Sequence, residues 1–222
     1  MKQTPAHDIF NTDLLEIMPR GLKRVIEVGS SSGALARAYK AINSSCEYIG
    51  VEIDPDYAEL SRSSCSQVVC GNIEHLEESK FEQLFPSDCW VFADVLEHLY
   101  DPWSVLRRIR EKLQVDSHII ACIPNAQHWS VQARLNCGLF RYEDMGLLDR
   151  THIRWFTRIT IIELFQSTGF KIEQGLPRVM QGEPTQDQLA AIRDMAKAIG
   201  ADPELSVSDA IPFQWVVRAV PV

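Results

Sequence analysis

Short apolar runs, each followed by apolar residues at a helical spacing, recur along the chain. Runs of strand length cover residues 24–28, 48–53, 67–70, 89–93, 118–123, 170–173 and 213–220. Between the first two runs, Leu35, Ala38, Tyr39 and Ile42 would share one face of a helix. Strands that alternate with helices in this way predict a mainly parallel sheet covered by helices on both faces.

Capping residues define several of the predicted helices. Asp54 and Asp101 each precede a proline, and an N-cap followed by proline at the first helical position starts a helix. Thr157 is a further candidate N-cap, and Gly169 lies where a helix usually ends. Residues 186–199 carry one more helical pattern.

Two stretches, residues 126–156 and 175–212, do not fit the alternation of strands and helices. Both follow strands, so we expect them at the edge of the sheet where α/β proteins bind ligands. We interpret them as substrate-covering insertions, and plain surface loops are the alternative. The predicted fold is α/β and Rossmann-like, with seven strands in one domain over residues 1–222.

Composition and charge exclude several classes of function. The chain has 222 residues, 22 basic against 30 acidic, and a net charge of −8, which disfavours binding to nucleic acid. No apolar run approaches the roughly 18 residues of a membrane helix, and residues 1–5 are not followed by the apolar segment of a signal peptide. The six cysteines lack zinc-site spacing, so we expect reduced thiols and a cytoplasmic location.

The segment from Glu27 to Gly33, here called the glycine loop, joins the first strand to the first helix. Gly29 permits a tight turn and the close approach of a ligand, and Gly33 lets the helix start pack closely. Glu52 ends the second strand, where a carboxylate can accept both hydroxyls of a ribose. The loop and this carboxylate together indicate an adenosine ligand.

S-adenosylmethionine fits this loop better than NAD does. NAD-binding loops have the pattern G-x-G-x-x-G, and Ser31 occupies the position of the middle glycine. A buried carboxylate at Glu27 suits a ligand with an ammonium group and repels a pyrophosphate.

The sequence resembles the class I S-adenosylmethionine-dependent methyltransferases. The resemblance rests on residues 24–33, 50–54, 71–73 and 94–102 and covers nearly the whole chain. A narrower likeness, to methyltransferases often encoded beside glycosyltransferases in cell-surface polysaccharide loci, rests on residues 123–125, 149–157 and 213–216. The family usually has Cys-Gly after the first glycine, whereas this chain has Ser30-Ser31.

The resemblance implies a set of residues that bind the cofactor. Those expected at its methionine end are Glu27, Gly29, Ser31, Gly33 and the carbonyl of Ala93. Those expected at the ribose and adenine are Glu52, Ile53, Asn72 and Ile73.

Two histidines are candidates for the base that an oxygen acceptor requires. His98 follows the fourth strand, and His152 lies in the first insertion. Either ring has a structural alternative, which is to satisfy a backbone group or pin the insertion to the sheet. Asp94, Glu97 and His98 have the spacing i, i+3, i+4 of a divalent-metal site, but such charged turns are usually only solvated and no metal is expected.

Arg150, Arg154 and Trp155 are candidates for substrate binding in the first insertion. Arginine side chains recognise phosphate or carboxylate groups, which suggests an anionic acceptor. The alternative is that the insertion's arginines pair with its own acids, and that its aromatic residues pack together.

We therefore expect a methyltransferase whose favoured acceptor is an oxygen of a small molecule or saccharide, with an anionic acceptor as one option. The alternatives are an amine or peptide acceptor, a non-catalytic S-adenosylmethionine-binding partner protein, or an NAD-dependent oxidoreductase. No nucleic acid or membrane partner is expected, and a homodimer is allowed.

Overall fold

The computed structural model describes residues 8–180 and 182–222. Seven strands form one sheet: β1 (Arg24–Val28), β2 (Glu47–Glu52), β3 (Gln67–Cys70), β4 (Cys89–Ala93), β5 (His118–Pro124), β6 (Phe170–Arg178) and β7 (Gln214–Pro221). Their order is β3-β2-β1-β4-β5-β7-β6, and β7 alone runs antiparallel to the other strands. The expected Rossmann-like α/β fold is confirmed.

Nine α-helices lie in the described part of the chain: α1 (Thr12–Ile17), α2 (Ala34–Ile42), α3 (Pro55–Ser61), α4 (Glu78–Glu82), α5 (Pro102–Arg110), α6 (Trp129–Asn136), α7 (Arg158–Ser167), α8 (Gln186–Ala198) and α9 (Pro203–Ala210). The capping predictions are confirmed: Asp54 caps α3, Asp101 caps α5 and Thr157 caps α7 through its side chain. Gly169 follows α7 with φ 84°. In this part of the chain no helix is long and apolar enough to cross a membrane.

The core has one layer on each face of the sheet. One layer packs α4, α5 and α7 against strand residues such as Trp90 and Phe92. The other packs α1 and α2 against strand residues such as Tyr48 and Val91. Because the central strands are buried on both faces, their sequences read as continuous apolar runs.

The structure differs from the sequence prediction around β6. This strand runs to Arg178, so Gly175 belongs to it and not to the second insertion. The following segment, with α8 and α9, leaves β6 and enters β7 at the same edge of the sheet, since Arg178 pairs with Gln214. A connection that returns to the edge it left must make the two strands antiparallel.

The first insertion has a small core of its own. Val131, Leu147 and Leu148 are buried there, with Phe140 and Trp155 packed against them. The helices α1, α4, α6 and α9 were not predicted, because short helices leave little periodicity in a sequence. The start of the chain, considered above for a signal peptide, lies outside the described residues.

Candidate functional site

A cavity of about 620 Å³ opens at the edge of the sheet where the parallel strands end. The ends of β1, β2 and β4, a 3₁₀ turn after β4 and the first insertion all line it. Eight of the nine expected cofactor residues are at its wall, namely Glu27, Gly29, Ser31, Glu52, Ile53, Asn72, Ile73 and Ala93. Residues 9–11 and Leu14, at the start of the described chain, also line it and were missed in the sequence.

The glycine loop and Glu52 form one hydrogen-bonded unit. The Ser31 amide donates to Glu52 Oε2 at 2.8 Å, and the Asp54 amide donates to Oε1 at 3.0 Å. Gly29 has φ 74°, and a Cβ there would lie 2.7 Å from Cγ2 of Val95. Only glycine fits this position, which brings the chain close to the cavity.

Ser31 adopts φ 47°, a left-handed conformation that disfavours non-glycine residues. The hydrogen bond from its amide to Glu52 holds it there. Gly33 is also left-handed, but it does not line the cavity. A Cβ on Gly33 would meet Ser64 at 2.8 Å and Ser61 at 3.3 Å, so this glycine packs against the end of α3 and not against a ligand.

Glu27 is a fully buried carboxyl group at the wall of the cavity. Burial raises its pKa to about 8, the adjacent Tyr48 hydroxyl opposes that rise, and the charge of Glu52 adds to it. Its Oε2 atom has no hydrogen-bond partner. A buried oxygen without a partner is costly, and an ammonium group placed in the cavity would satisfy it. The cavity therefore fits the methionine end of S-adenosylmethionine.

The other end of the cavity can hold an adenine. Ile53 and Ile73 provide apolar walls there. Asn72 accepts a hydrogen bond from the Glu74 amide at 2.9 Å, which fixes its side chain as a cap. Asn72 also lines the cavity.

His98 and His152 lie side by side at the cavity wall. Their ring centroids are 4.8 Å apart. Nδ1 of His98 is 3.1 Å from the carbonyl of Thr151, and Nδ1 of His152 is 3.2 Å from the carbonyl of Leu147. A carbonyl oxygen only accepts, so each Nδ1 carries the proton and each Nε2 keeps a lone pair.

Burial favours the neutral form of both histidines by lowering the pKa of each ring. Burial lowers the pKa of His98, and the Thr151 carbonyl opposes that change. Burial also lowers the pKa of His152, and its neighbour His98 lowers it further. Two neutral rings with available lone pairs can accept a proton or bind a cation.

Glu97 lies beside the two rings and is 1% exposed. Its Oε1 is 3.9 Å from Nε2 of His152, and neither carboxyl oxygen has a hydrogen-bond partner. Burial, together with the charge of Asp94, raises the pKa of Glu97 well above its usual range.

Asp94 does not join this cluster, contrary to the metal site considered from the sequence. It has φ 54°, which turns the chain after β4, and its carboxylate accepts a hydrogen bond from the Gln214 side chain. Burial raises the pKa of Asp94 to about 6, and Arg178 opposes the rise. His152, from a distant part of the sequence, takes its place in the cluster with Glu97 and His98.

Asp149 is a buried residue of the cavity that sequence reasoning did not single out as functional. Its Oδ1 accepts from the Thr151 amide at 2.7 Å and the Thr151 hydroxyl at 2.6 Å. This turn sets the position of His152. An aspartate followed two residues later by threonine is typical of such turns and is the signal that could have found it.

The predicted substrate residues Arg150, Arg154 and Trp155 do not line the cavity. Arg150 pairs with Asp144 at 2.6 Å on the surface, and Arg154 donates to the Tyr100 carbonyl. Trp155 packs inside the first insertion. The three side chains therefore contact an acid, a backbone carbonyl and apolar residues of the protein itself.

Comparison with known proteins now assigns the family. A model of a methyltransferase domain matches residues 8–174. The chain belongs to this methyltransferase family. The expectation of an S-adenosylmethionine-dependent methyltransferase is thereby confirmed at the level of the family, and the oxidoreductase alternative is wrong. None of the curated proteins matches the chain in sequence.

Solved methyltransferase structures share the fold. An S-adenosylmethionine-dependent methyltransferase from Mesorhizobium loti is 15% identical with a TM-score of 0.60, over 94% of this chain and 96% of that one. Mitomycin 7-O-methyltransferase MmcR is 16% identical (TM-score 0.55, 91% and 50% covered). NcsB1, an O-methyltransferase solved with S-adenosyl-L-homocysteine and 1,4-dihydroxy-2-naphthoic acid, is 14% identical (TM-score 0.58, 95% and 52% covered). The chain thus spans about half the length of MmcR and NcsB1.

Proposed function

We propose that the protein transfers a methyl group from S-adenosylmethionine to a hydroxyl oxygen of an uncharged small-molecule or saccharide acceptor. The observation that carries this proposal is one cavity with two chemically distinct parts. Glu27, Gly29 and Glu52 form the part that fits the cofactor, and the His98–His152 pair forms the part that fits a hydroxyl group.

Cofactor binding follows from charge and hydrogen bonding. Glu27 would accept the ammonium group, and Glu52, already oriented by two backbone amides, would accept the ribose hydroxyls. When bound, S-adenosylmethionine supplies an electrophilic methyl group: the O–CH₃ bond forms, the S–CH₃ bond breaks, and its electron pair stays on sulfur. The protein contributes orientation of the donor and acceptor atoms.

The histidine pair favours an oxygen acceptor. A hydroxyl must lose its proton during transfer, and a lone pair on Nε2 of His98 or His152 can take that proton directly or bind a cation that promotes its release. An amine needs only to arrive uncharged. MmcR and NcsB1 are named as O-methyltransferases, which supports the same acceptor atom.

The charges at the cavity argue against an anionic acceptor. The described residues that line it include no lysine or arginine. They do include four acidic residues, Glu27, Glu52, Asp94 and Asp149. An anion would meet repulsion there. We therefore propose that the methyl acceptor is a phenolic or sugar hydroxyl of an uncharged molecule. This class of acceptors includes saccharides of the cell-surface subgroup.

Isothermal titration calorimetry with S-adenosylhomocysteine, on the wild type and on Glu27→Gln, tests the first half of the proposal. The control variant is Glu16→Gln, at an exposed position of α1. The second half is tested by incubating the protein with S-adenosylmethionine and panels of phenols, saccharides, amines and peptides, and measuring S-adenosylhomocysteine release. Release with hydroxyl acceptors supports the proposal. Release with amines or peptides only, or saturable binding with no release from any panel or cell extract, supports the alternatives and refutes it.

A further inference from the structure

We infer that Glu97, His98 and His152 form a binding site for one divalent transition-metal ion, of the kind that prefers imidazole and carboxylate ligands, such as Zn²⁺. Each of the three side chains offers one donor atom, and these atoms lie within 4.8 Å of one another. Two imidazoles and a carboxylate are a ligand set that catalytic zinc sites use.

The two histidines are already oriented as ligands. Nδ1 of each ring is bonded to a backbone carbonyl, of Thr151 or of Leu147, so the lone pair of each Nε2 is available. Metal-bound histidines in proteins almost always have their second nitrogen anchored in this way, which fixes the tautomer and the ring orientation.

Glu97 supplies an independent observation. Its carboxyl group is buried, and both oxygens lack a hydrogen-bond partner. The only ion-pairing group within 4.0 Å of it, among the described residues, is the His152 ring at 3.9 Å. A buried carboxylate is normally paired or bound to a metal, and a cation between Glu97 and the two rings would satisfy it.

Backbone hydrogen bonds hold the three ligands together across the fold. The Glu97 carbonyl accepts from the amides of Ile153 and Arg154 at 3.0 and 2.9 Å. These bonds fasten the first insertion to the turn after β4 through backbone groups that are close in sequence to His98 and His152. The donor set therefore belongs to a built junction and not to a mobile surface loop.

The ion would lie at the cavity wall, because His98 and His152 line the cavity and Glu97 lies beside them. Three protein ligands leave a coordination position open. Its role in catalysis, which rests on the proposed function, would be to bind the acceptor's hydroxyl oxygen and lower the pKa of that hydroxyl, whose proton then passes to solvent water. The same Nε2 lone pairs cannot bind the ion and take the proton, so this role and direct proton acceptance exclude each other.

Metal binding itself is measured on the full-length protein. The protein is treated with a chelator, dialysed and titrated with Zn²⁺, and then with Co²⁺, whose visible absorption bands report imidazole and carboxylate ligation. His152→Gln and Glu97→Gln are compared with wild type. His75→Gln, which changes an exposed histidine outside the cavity, is the control. S-adenosylhomocysteine binding shows which variants are folded.

We expect one Zn²⁺ per wild-type chain and one per His75→Gln chain. We expect His152→Gln to weaken Zn²⁺ binding by more than about 100-fold, since losing a group that only orients a ligand already costs about 10- to 100-fold. Absence of stoichiometric Zn²⁺ binding in the wild type, or unchanged binding in a folded His152→Gln, would overturn the inference. If methyl transfer persists in the chelated protein, the metal's catalytic role fails and the proposed function survives, whereas Zn²⁺ binding without any transfer supports the site and counts against the proposed function.

Discussion

Replacing Glu27 with glutamine should stabilise the ligand-free protein and lower its affinity for the cofactor. The carboxyl group is fully buried, and burial raises its pKa from 4.5 to about 8. Glutamine has nearly the same shape but no charge to desolvate. The variant would thus avoid the cost of burying this carboxyl group and would lose the proposed partner of the cofactor's ammonium group, a common conflict between stability and activity.

The sign of the effect follows from proton linkage. Because the pKa of Glu27 is higher in the folded than in the unfolded chain, the folded state binds more protons above pH 4.5. Stability from this group is present below that pH and is lost as the pH rises towards 8. At pH 7 the free energy of unfolding is lower by about 3 kcal/mol than below pH 4.5 because of this group. For a domain of this size, that corresponds to about 6 to 12 °C in Tm.

The assay is urea unfolding, followed by tryptophan fluorescence, of wild type and Glu27→Gln at several pH values between 4.5 and 8. The free energy difference between them should grow with pH by the amount given above. Glu16→Gln, at an exposed position, should show no such growth. For S-adenosylhomocysteine we expect an affinity loss of about 10- to 100-fold, since a hydrogen bond to a charged group contributes about 1.5–3 kcal/mol.

Two results would refute this reasoning. A free energy difference that stays constant with pH would mean that the carboxyl group is not perturbed by burial. Unchanged cofactor affinity in a folded Glu27→Gln would mean that the unpartnered Oε2 atom does not face the ammonium group.

The remaining predictions concern the glycine loop, the histidines and the insertion. Gly29→Ala should lower stability by about 1–3 kcal/mol in thermal unfolding, because of its positive φ and the contact with Val95. His98→Gln should lower kcat by about 10²- to 10⁴-fold while cofactor affinity, measured by calorimetry, is kept; unchanged kcat would remove His98 from the chemistry. Arg154→Ala should leave the KM for the acceptor unchanged, because Arg154 does not line the cavity and its guanidinium donates to the Tyr100 carbonyl; a raised KM would show that it reaches the acceptor.

The sequence was sufficient for features that depend on neighbours along the chain. It placed β1, β3 and β4 at their observed bounds and identified the caps Asp54 and Asp101. Burial on both faces makes a parallel strand a continuous apolar run, and a cap acts on amides within three residues of itself. The glycine loop and Glu52 were also found, because their spacing is set by one strand-helix-strand unit.

Only the tertiary structure decided which polar residues meet beside the His98–His152 pair. His152 joins Glu97 and His98 because the first insertion folds back onto the turn after β4. Gln214, from the last strand, donates a hydrogen bond to the carboxylate of Asp94. Likewise, Arg150 pairs with Asp144 of the insertion, and Arg154 donates to the carbonyl of Tyr100, which lies after β4. Contacts between segments far apart in sequence depend on how loops pack, and no local period or spacing records that packing.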